Sequence, residues 1–338
     1  MRALVVRPGP MFSVADVANG WVKGLRECGV EVVDFNFDDR MGFYSTAHID
    51  RDGDMVRVFD NPEHAARLAA DGILAAAYKF WPDIVIIISG FFVPPDTYAL
   101  LRSRGHKVVL IHTESPYEDD RQLLRTPHAS LNVLNDPTNI DRFAELAPTV
   151  YIPHAYDPTV HYPQTPVDSA RSDFCFVGTG YPSRIDFLEQ VDFTGIDVAL
   201  AGNWQGTTED SPLRKHLAHD VAECCPNNEA AVLYASTKVS ANLYRKEATE
   251  SADGWAMGPR EVELAALGTF FLREPRGESD DLLHMLPTFD SPGDFSEKLR
   301  WWLAHETTRT EAARLARLAI ADRTFANNAA RLLKLLAA

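Results

Sequence analysis

At 338 residues the chain has room for about two domains of the usual 100–200 residues, and its 46% hydrophobic and 24% charged residues are the composition of a globular protein with material for two cores. Its 33 basic and 48 acidic residues give a net charge of −15, which argues against broad binding to nucleic acid or anionic membrane, a local basic groove apart. No apolar run approaches the roughly 18 residues of a membrane span, and the apolar run at Ala3–Val6 is too short for a signal peptide; the four cysteines (Cys28, Cys175, Cys224, Cys225) lack C-x-x-C spacing, so reduced thiols in a cytoplasm are expected.

The chain begins with a strand-like run, Ala3-Leu-Val-Val6. Ser13 and Asp16 then form an S-x-x-D capping pair for a helix over Val17 to Cys28, which Gly29 ends. A strand restarts at Val30–Val33. The alternation from His48 to Val58 around Asp52-Gly53 reads as a hairpin. A helix follows over Glu63–Lys79, and Asp83-Ile-Val-Ile-Ile-Ile88 reads as a parallel strand buried on both faces. Pro94 and Pro95 introduce a helix, Lys107–His112 is the next strand, and Leu131–Leu134 and Thr149–Ile152 are shorter ones. Strand and helix alternate throughout, the pattern of a doubly wound parallel sheet.

A stretch from Pro153 to Ser172 with four prolines interrupts this pattern as a linker. The alternation then resumes. Asp173–Val177 is a strand, Gly178-Thr-Gly180 a loop and Ser183–Val191 a helix. Asp197–Ala201 is a strand ending at Gly202-Asn203-Trp204, and a helix near Asn228–Ser236 leads into Lys238–Tyr244. In Met257-Gly-Pro-Arg-Glu-Val-Glu-Leu-Ala-Ala-Leu-Gly268, Pro259 suits the first turn of a helix and Gly268 the residue past its end. Phe271-Leu272 restarts a strand. Phe295–His305 and a long final run from about Thr308 to Leu336 complete the chain as helices.

Several residues carry chemistry by position. Glu261 lies in a first helical turn, where free N–H groups favour anions, with simple capping of that helix as the plain alternative. Gly178 and Gly180 end a strand and precede a helix, where backbone approaches a diphosphate closely; the third glycine of a nicotinamide fingerprint is missing. Arg184 opens the next helix and reaches a phosphate bidentately, or pairs with Asp186 or Glu189. Lys238 adds a second cation, or is a solvated charge at a strand edge. In the first half, Glu114 follows the strand ending at His112 and is a candidate base. His154, near the domain junction, is a second, and His112 a third. Asp52-Gly-Asp54 matches a metal-holding D-x-D, but its setting makes it a hairpin turn. No zinc spacing, Walker lysine or G-x-S-x-G elbow is present.

Four motifs occur in order: Phe176-Val-Gly-Thr-Gly180 with Arg184; Ala201-Gly-Asn-Trp204; Lys238 with Asn242-Leu-Tyr-Arg245; and Arg260-Glu261 with Ala266-Leu-Gly268. Together they resemble the donor half of a GT-B glycosyltransferase, related to glycosyltransferase families 1 and 4, and more narrowly the CgeB-like, spore-maturation-protein-like group. Thr113-Glu-Ser-Pro-Tyr117 and Ile152-Pro-His-Ala-Tyr-Asp157 are similar to that group in the first half.

The resemblance implies an α/β chain of two Rossmann-like domains facing a cleft, the last helix crossing back to the first domain. The expected division is 1–155 for the acceptor side, 156–172 for the linker, 173–310 for the donor side and 311–338 for the crossing helix. It implies transfer of a sugar from a nucleotide diphosphate, with a UDP-sugar expected, to a hydroxyl of a protein, glycan or small molecule. No metal or other cofactor is required, and retention is the implied stereochemistry. Gly178, Thr179, Gly180, Arg184, Asn203, Lys238, Arg260 and Glu261 would hold the donor, Glu261 at its ribose and an Arg184/Lys238 pair at its diphosphate. Arg260 has the alternative of pairing with Glu263 or Glu250. Related retaining enzymes carry an acid eight positions before Glu261; here that position is Asp253. Two other readings are a non-catalytic two-domain protein that closes on a nucleotide or sugar, and a transferase acting on modified phage DNA, which the charge of −15 disfavours.

Overall fold

Ile84–Ile88 is fully buried, the condition under which a parallel strand carries apolar residues on both faces. The structure, a computed structural model, describes residues 1–9, 15–51, 53–59, 61–217, 222, 224–248 and 253–337. The chain forms two units: Met1–Pro153 with Phe325–Ala338, and His154–Ala248 with Ala252–Thr324.

The first unit contains β1 (Arg2–Val6), α1 (Ala15–Glu27), β2 (Glu31–Phe35) and α2 (Phe37–Ser45). An antiparallel hairpin of β3 (Thr46–Arg51) and β4 (Asp54–Phe59) follows, turning at Gly53 in left-handed backbone. Then come α3 (Pro62–Phe80), β5 (Ile84–Ile88), α4 (Pro95–Ser103), β6 (Lys107–His112), α5 (Asp119–Leu123), β7 (Leu131–Leu134), α6 (Ile140–Ala144) and β8 (Thr149–Tyr151). Six strands make one parallel sheet in the order β2-β1-β5-β6-β7-β8. Asn61 caps α3 by accepting from Glu63 N, and Pro62 fits its first turn.

The second unit contains β9 (Ser172–Val177), α7 (Pro182–Glu189), β10 (Val198–Ala201), α8 (Asn227–Ser236), β11 (Thr237–Asn242), α9 (Pro259–Leu267), β12 (Phe271–Arg273), α10 (Gly277–Leu282), α11 (Pro292–Ala304) and α12 (Glu306–Ala319). Its four strands are parallel in the order β10-β9-β11-β12. Phe174, Phe176, Phe271, Phe295 and Trp204 fill its core. α9 ends at Gly268, whose φ of 74° is the left-handed cap conformation.

The helical run expected from Thr308 to Leu336 divides in two. Between α12 and α13 (Phe325–Ala337), the Arg323 carbonyl accepts the Tyr156 N–H, Tyr156 bridges to Thr324, and Arg323 pairs with Glu278. These tertiary bonds take backbone groups that a continuous helix needs. α13 belongs to the first unit, where it packs on α1: Phe325 lies over Gly20 and Gly24, and a side chain at either glycine would collide with it. The short helices α5, α6 and α10 are below the length at which periodicity marks a helix.

Candidate functional site

In the second sheet all strands run the same way, so Val177, Ala201, Asn242 and Arg273 end on one edge. Ligands of open α/β sheets bind at this carboxyl edge. Ser240 pairs with Cys175, which brings Asn242 level with Val177. Arg260, one residue into α9, reaches across this edge. Its Nε donates to the Val177 carbonyl (3.1 Å) and its Nη1 to Asn242 Oδ1 (3.2 Å). The guanidinium also lies over the Phe176 ring, 4.6 Å from its centre. It covers Gly178 so closely that a Cβ there would strike Nη2. Gly178 therefore gives way to the arginine.

The glycine loop is bonded and closely packed within the unit. Gly178 N donates to Ala201 O (2.9 Å) and Gly180 N to Asn203 O (2.7 Å), so these two N–H groups face β10 and its loop. A side chain at Gly180 would enter the Trp204 ring, and one at Gly202 (φ 105°) would meet the Gly178 carbonyl. Thr179 gives its carbonyl to Arg184 Nη1 (2.9 Å). Asn203 Oδ1 accepts from Gln205 N (3.2 Å), making a local turn.

Arg184 is 8% exposed. Besides Thr179 it donates through Nε to Leu243 O (3.0 Å), tying the loop after β9 to the loop after β11. It lies over Phe176 and Tyr181. Neither Asp186 nor Glu189 takes these bonds. Arg184 thus orders the edge. The free donor at the start of α7, Ser183 N, is taken by Glu247 Oε1 (2.9 Å), while Ser183 Oγ donates to Glu247 Oε2 (3.1 Å). Burial pushes the Glu247 carboxyl up, and the bonds from Ser183 outweigh it, leaving the group below the usual range.

Glu261, the residue expected at the ribose, is bonded within the protein. It is 0% exposed and its carboxylate turns back into the protein. Oε2 accepts from Gly258 N (2.9 Å) and from the Tyr244 hydroxyl, and Oε1 from Ser279 Oγ (2.8 Å). This is the acid half of a capping box on α9. Burial raises its pKa above the ordinary value, and the three bonds oppose that rise. In this arrangement Glu261 closes the helix start.

Lys238 stands at the opposite edge of the sheet. It is the second residue of β11 and its Nζ pairs with Asp173 Oδ1 (2.7 Å), 57% exposed. Four residues of strand, about 13 Å, separate it from Asn242. Lys246, beyond β11, is the nearer lysine in sequence to that edge and pairs with Glu274 (3.0 Å). Arg245 stands beside it, its guanidinium 5.8 Å from the Tyr181 ring centre.

The remaining candidates divide between the units. Glu114 is half-buried in the first unit just after β6, its N–H donating to Gln122 Oε1 (3.1 Å). The cis Ser115–Pro116 bond follows it, and Ser115 Oγ donates to the buried Asp119 (2.7 Å). His112 is fully buried against Phe143 and bonds Asn132 Oδ1 through Nε2 (3.0 Å). Burial pushes its pKa down to about 4, which keeps it neutral and inside the core. His154, half-buried, begins the second unit. In the hairpin Asp52 lies outside the described residues. Among those described, no group of three His, Cys, Asp or Glu has the spacing to hold a metal, and no helix is long and apolar enough to cross a membrane.

Asn242 and Tyr244 were within the motif Asn242-Leu-Tyr-Arg245 but carried no assigned role, and Ser279 and Glu247 were missed as members of this edge; Asn242 had a further signal, a carboxamide closing the apolar strand Val239-Ser-Ala241.

Residues 184–334 match the model of a family described as glycosyl transferase-like. The chain thus carries a glycosyltransferase-like enzyme domain over that stretch, and sugar transfer is the activity class it defines. No curated protein matches the chain in sequence. The whole chain resembles solved structures in fold. Sucrose-phosphate synthase from Thermosynechococcus elongatus is similar with a TM-score of 0.68 at 11% identity, over 99% of this chain and 98% of that one. An α,α-trehalose-phosphate synthase (UDP-forming) from Burkholderia vietnamiensis has a TM-score of 0.61 at 11% identity, over 99% of both chains. The E. coli trehalose-6-phosphate structure bound with UDP-2-fluoro glucose gives 0.61 at 11%, again over 99% of both. At such identity the likeness is one of fold, the two-unit α/β architecture of GT-B proteins.

Proposed function

We propose that this chain is a CgeB-like glycosyltransferase that moves a sugar from a nucleotide diphosphate, a UDP-sugar first, to an acceptor hydroxyl. One observation carries the reading: the Arg260 guanidinium lies across Gly178 at the carboxyl ends of β9 and β11, at the start of α9. A guanidinium fixed there, beside a helix N-terminus, supplies the positive charge that a departing nucleoside diphosphate needs. Arg245 and Lys246 add charge in the neighbouring loop. In this reading the cations stand in place of a metal, and the reaction proceeds without one.

Arg184 acts by holding the two loops, not by touching phosphate, and Glu261 by fixing the start of α9. The acceptor class is a protein, glycan or small molecule, with Glu114 and His154 as the candidate bases, and retention is the proposed outcome at the anomeric carbon. Free thiols at Cys28, Cys175, Cys224 and Cys225 suit the cytoplasm as its compartment. UDP-2-fluoro glucose on one fold neighbour supports UDP as the first nucleotide to try.

The test is release of nucleoside diphosphate from a panel of UDP-, GDP-, ADP- and TDP-sugars in the presence of EDTA. Release from one nucleotide class supports the reading. Tight binding without release under every acceptor tried would favour a binding protein, and neither binding nor release would remove the reading.

A further inference from the structure

Asn242 presents a buried, unanswered donor at the same edge. Its side chain is 2% exposed. The orientation of the carboxamide follows from its neighbour: arginine only donates, so the atom facing Arg260 Nη1 at 3.2 Å must be the oxygen. The Nδ2 group therefore points away from Arg260, and it has no hydrogen-bond partner. Across the β11–β12 ladder Asn242 pairs with Arg273, itself 3% exposed, whose Nε is likewise unanswered while its Nη1 bonds Asp280. Buried polar groups in folded proteins are nearly always satisfied, and leaving one unmet costs about 1–3 kcal/mol. Two such donors at one sheet edge mark a place that something else fills.

Gly258 shows where. It is the N-cap of the nine-residue helix α9, and a Cβ at this position would sit 4.0 Å from Asn242 Nδ2, 3.9 Å from Glu261 Oε2 and 3.4 Å from Tyr244 Cε1. A glycine here places no side chain beside Nδ2, while the Arg260 guanidinium is on the oxygen side of the carboxamide. We propose that Asn242 is a ligand-binding residue: its Nδ2–H, approached over Gly258, donates to an anionic oxygen of the diphosphate that Arg260 attracts. The inference deepens the donor reading above and rests on it. Asn242 then does two things at once. Its oxygen fixes the arginine, and its nitrogen reads the ligand.

A variant at Gly258 tests this without touching either partner. At φ −76° and ψ 159° any residue fits, and every contact of the added methyl is an ordinary van der Waals distance, so Gly258→Ala folds normally. The probes are inorganic pyrophosphate and UDP, titrated by calorimetry in EDTA. The expected result is about a tenfold loss of affinity for both in Gly258→Ala, the size of one charge-assisted hydrogen bond. A purely structural Asn242, serving only to hold Arg260, predicts unchanged affinity in Gly258→Ala, and that result overturns the proposal. So does a wild-type protein that binds neither probe. Pyrophosphate binding that responds to Gly258→Ala, with UDP bound no more tightly than pyrophosphate, would instead keep this contact and remove the nucleotide-donor reading. As a check free of folding effects, the Asn242 carboxamide proton signals of the wild-type protein, assigned by their loss in Asn242→Asp, should shift as pyrophosphate is added. Signals that stay still at saturation also overturn it.

Discussion

The guanidinium of Arg260 occupies the space that a side chain at residue 178 would need. Gly178 and Arg260 are 82 positions apart in sequence, yet each requires the other's conformation. Gly178→Ala would therefore act on the arginine before it acts on the fold, since the obstructing atom is the far end of a flexible side chain. We expect a stability loss below about 2 kcal/mol and about a tenfold loss in affinity for UDP. Gly202→Ala should be the more damaging change for folding. Its Cβ would meet the Gly178 backbone, and its φ of 105° is foreign to alanine. Thermal unfolding and UDP titration of both variants separate the two effects.

Glu261→Ala should act mainly on stability. The substitution removes the capping carboxylate of α9 and strands the Tyr244 hydroxyl and Ser279 Oγ in the interior. The expected cost is about 2–4 kcal/mol. Any loss of nucleotide affinity should follow the loosening of α9 and be partly restored by Glu261→Gln, which keeps an acceptor of the same shape. A stable Glu261→Ala protein that has lost only nucleotide binding would return Glu261 to the ribose.

Lys238→Ala should be silent. Its ion pair with Asp173 is exposed at the far edge of the sheet, and such pairs contribute about 0–1 kcal/mol. UDP affinity and turnover should stay within about twofold of the parent. A fall of tenfold or more would place this lysine at the ligand after all.

His112 gives the first unit a pH dependence. An unfolded His takes up a proton near pH 6.5, whereas the buried one does so near pH 4. The folded pKa is depressed, so the stability it confers is complete above pH 6.5 and is lost as pH falls toward 4. Integrated over that window the loss is about 3 kcal/mol. Chemical denaturation from pH 7 to 4 should show a smaller loss in His112→Leu than in the parent. Parallel curves would contradict a neutral, buried His112.

How much of this was legible in the sequence depends on how local the cause is. Pro259 and Gly268 bound α9 because each acts through its own backbone, and both sit where the chain demands. Ile84–Ile88 reads as a buried strand because burial on two faces leaves no polar position. The place of Lys238 was legible: it precedes the apolar run Val239–Ala241, so it lies near the start of the strand, whereas ligands sit where strands end. The direction of Glu261 is another matter. Its place in the first turn is local, but whether it faces out or back is decided by Tyr244 and Ser279, 17 and 18 positions away. Sequence spacing holds no record of that choice. The same holds for Arg184, whose partners include two backbone carbonyls with no side-chain signature.

The most direct test of the account is the affinity of UDP for the parent and for Arg260→Ala, measured by calorimetry in EDTA. Binding by the parent is expected, with a 10–100-fold loss, about 1.5–3 kcal/mol, in a variant whose melting temperature is little changed. Equal affinity in the two proteins would contradict the proposed role of Arg260, the cation on which the diphosphate reading rests.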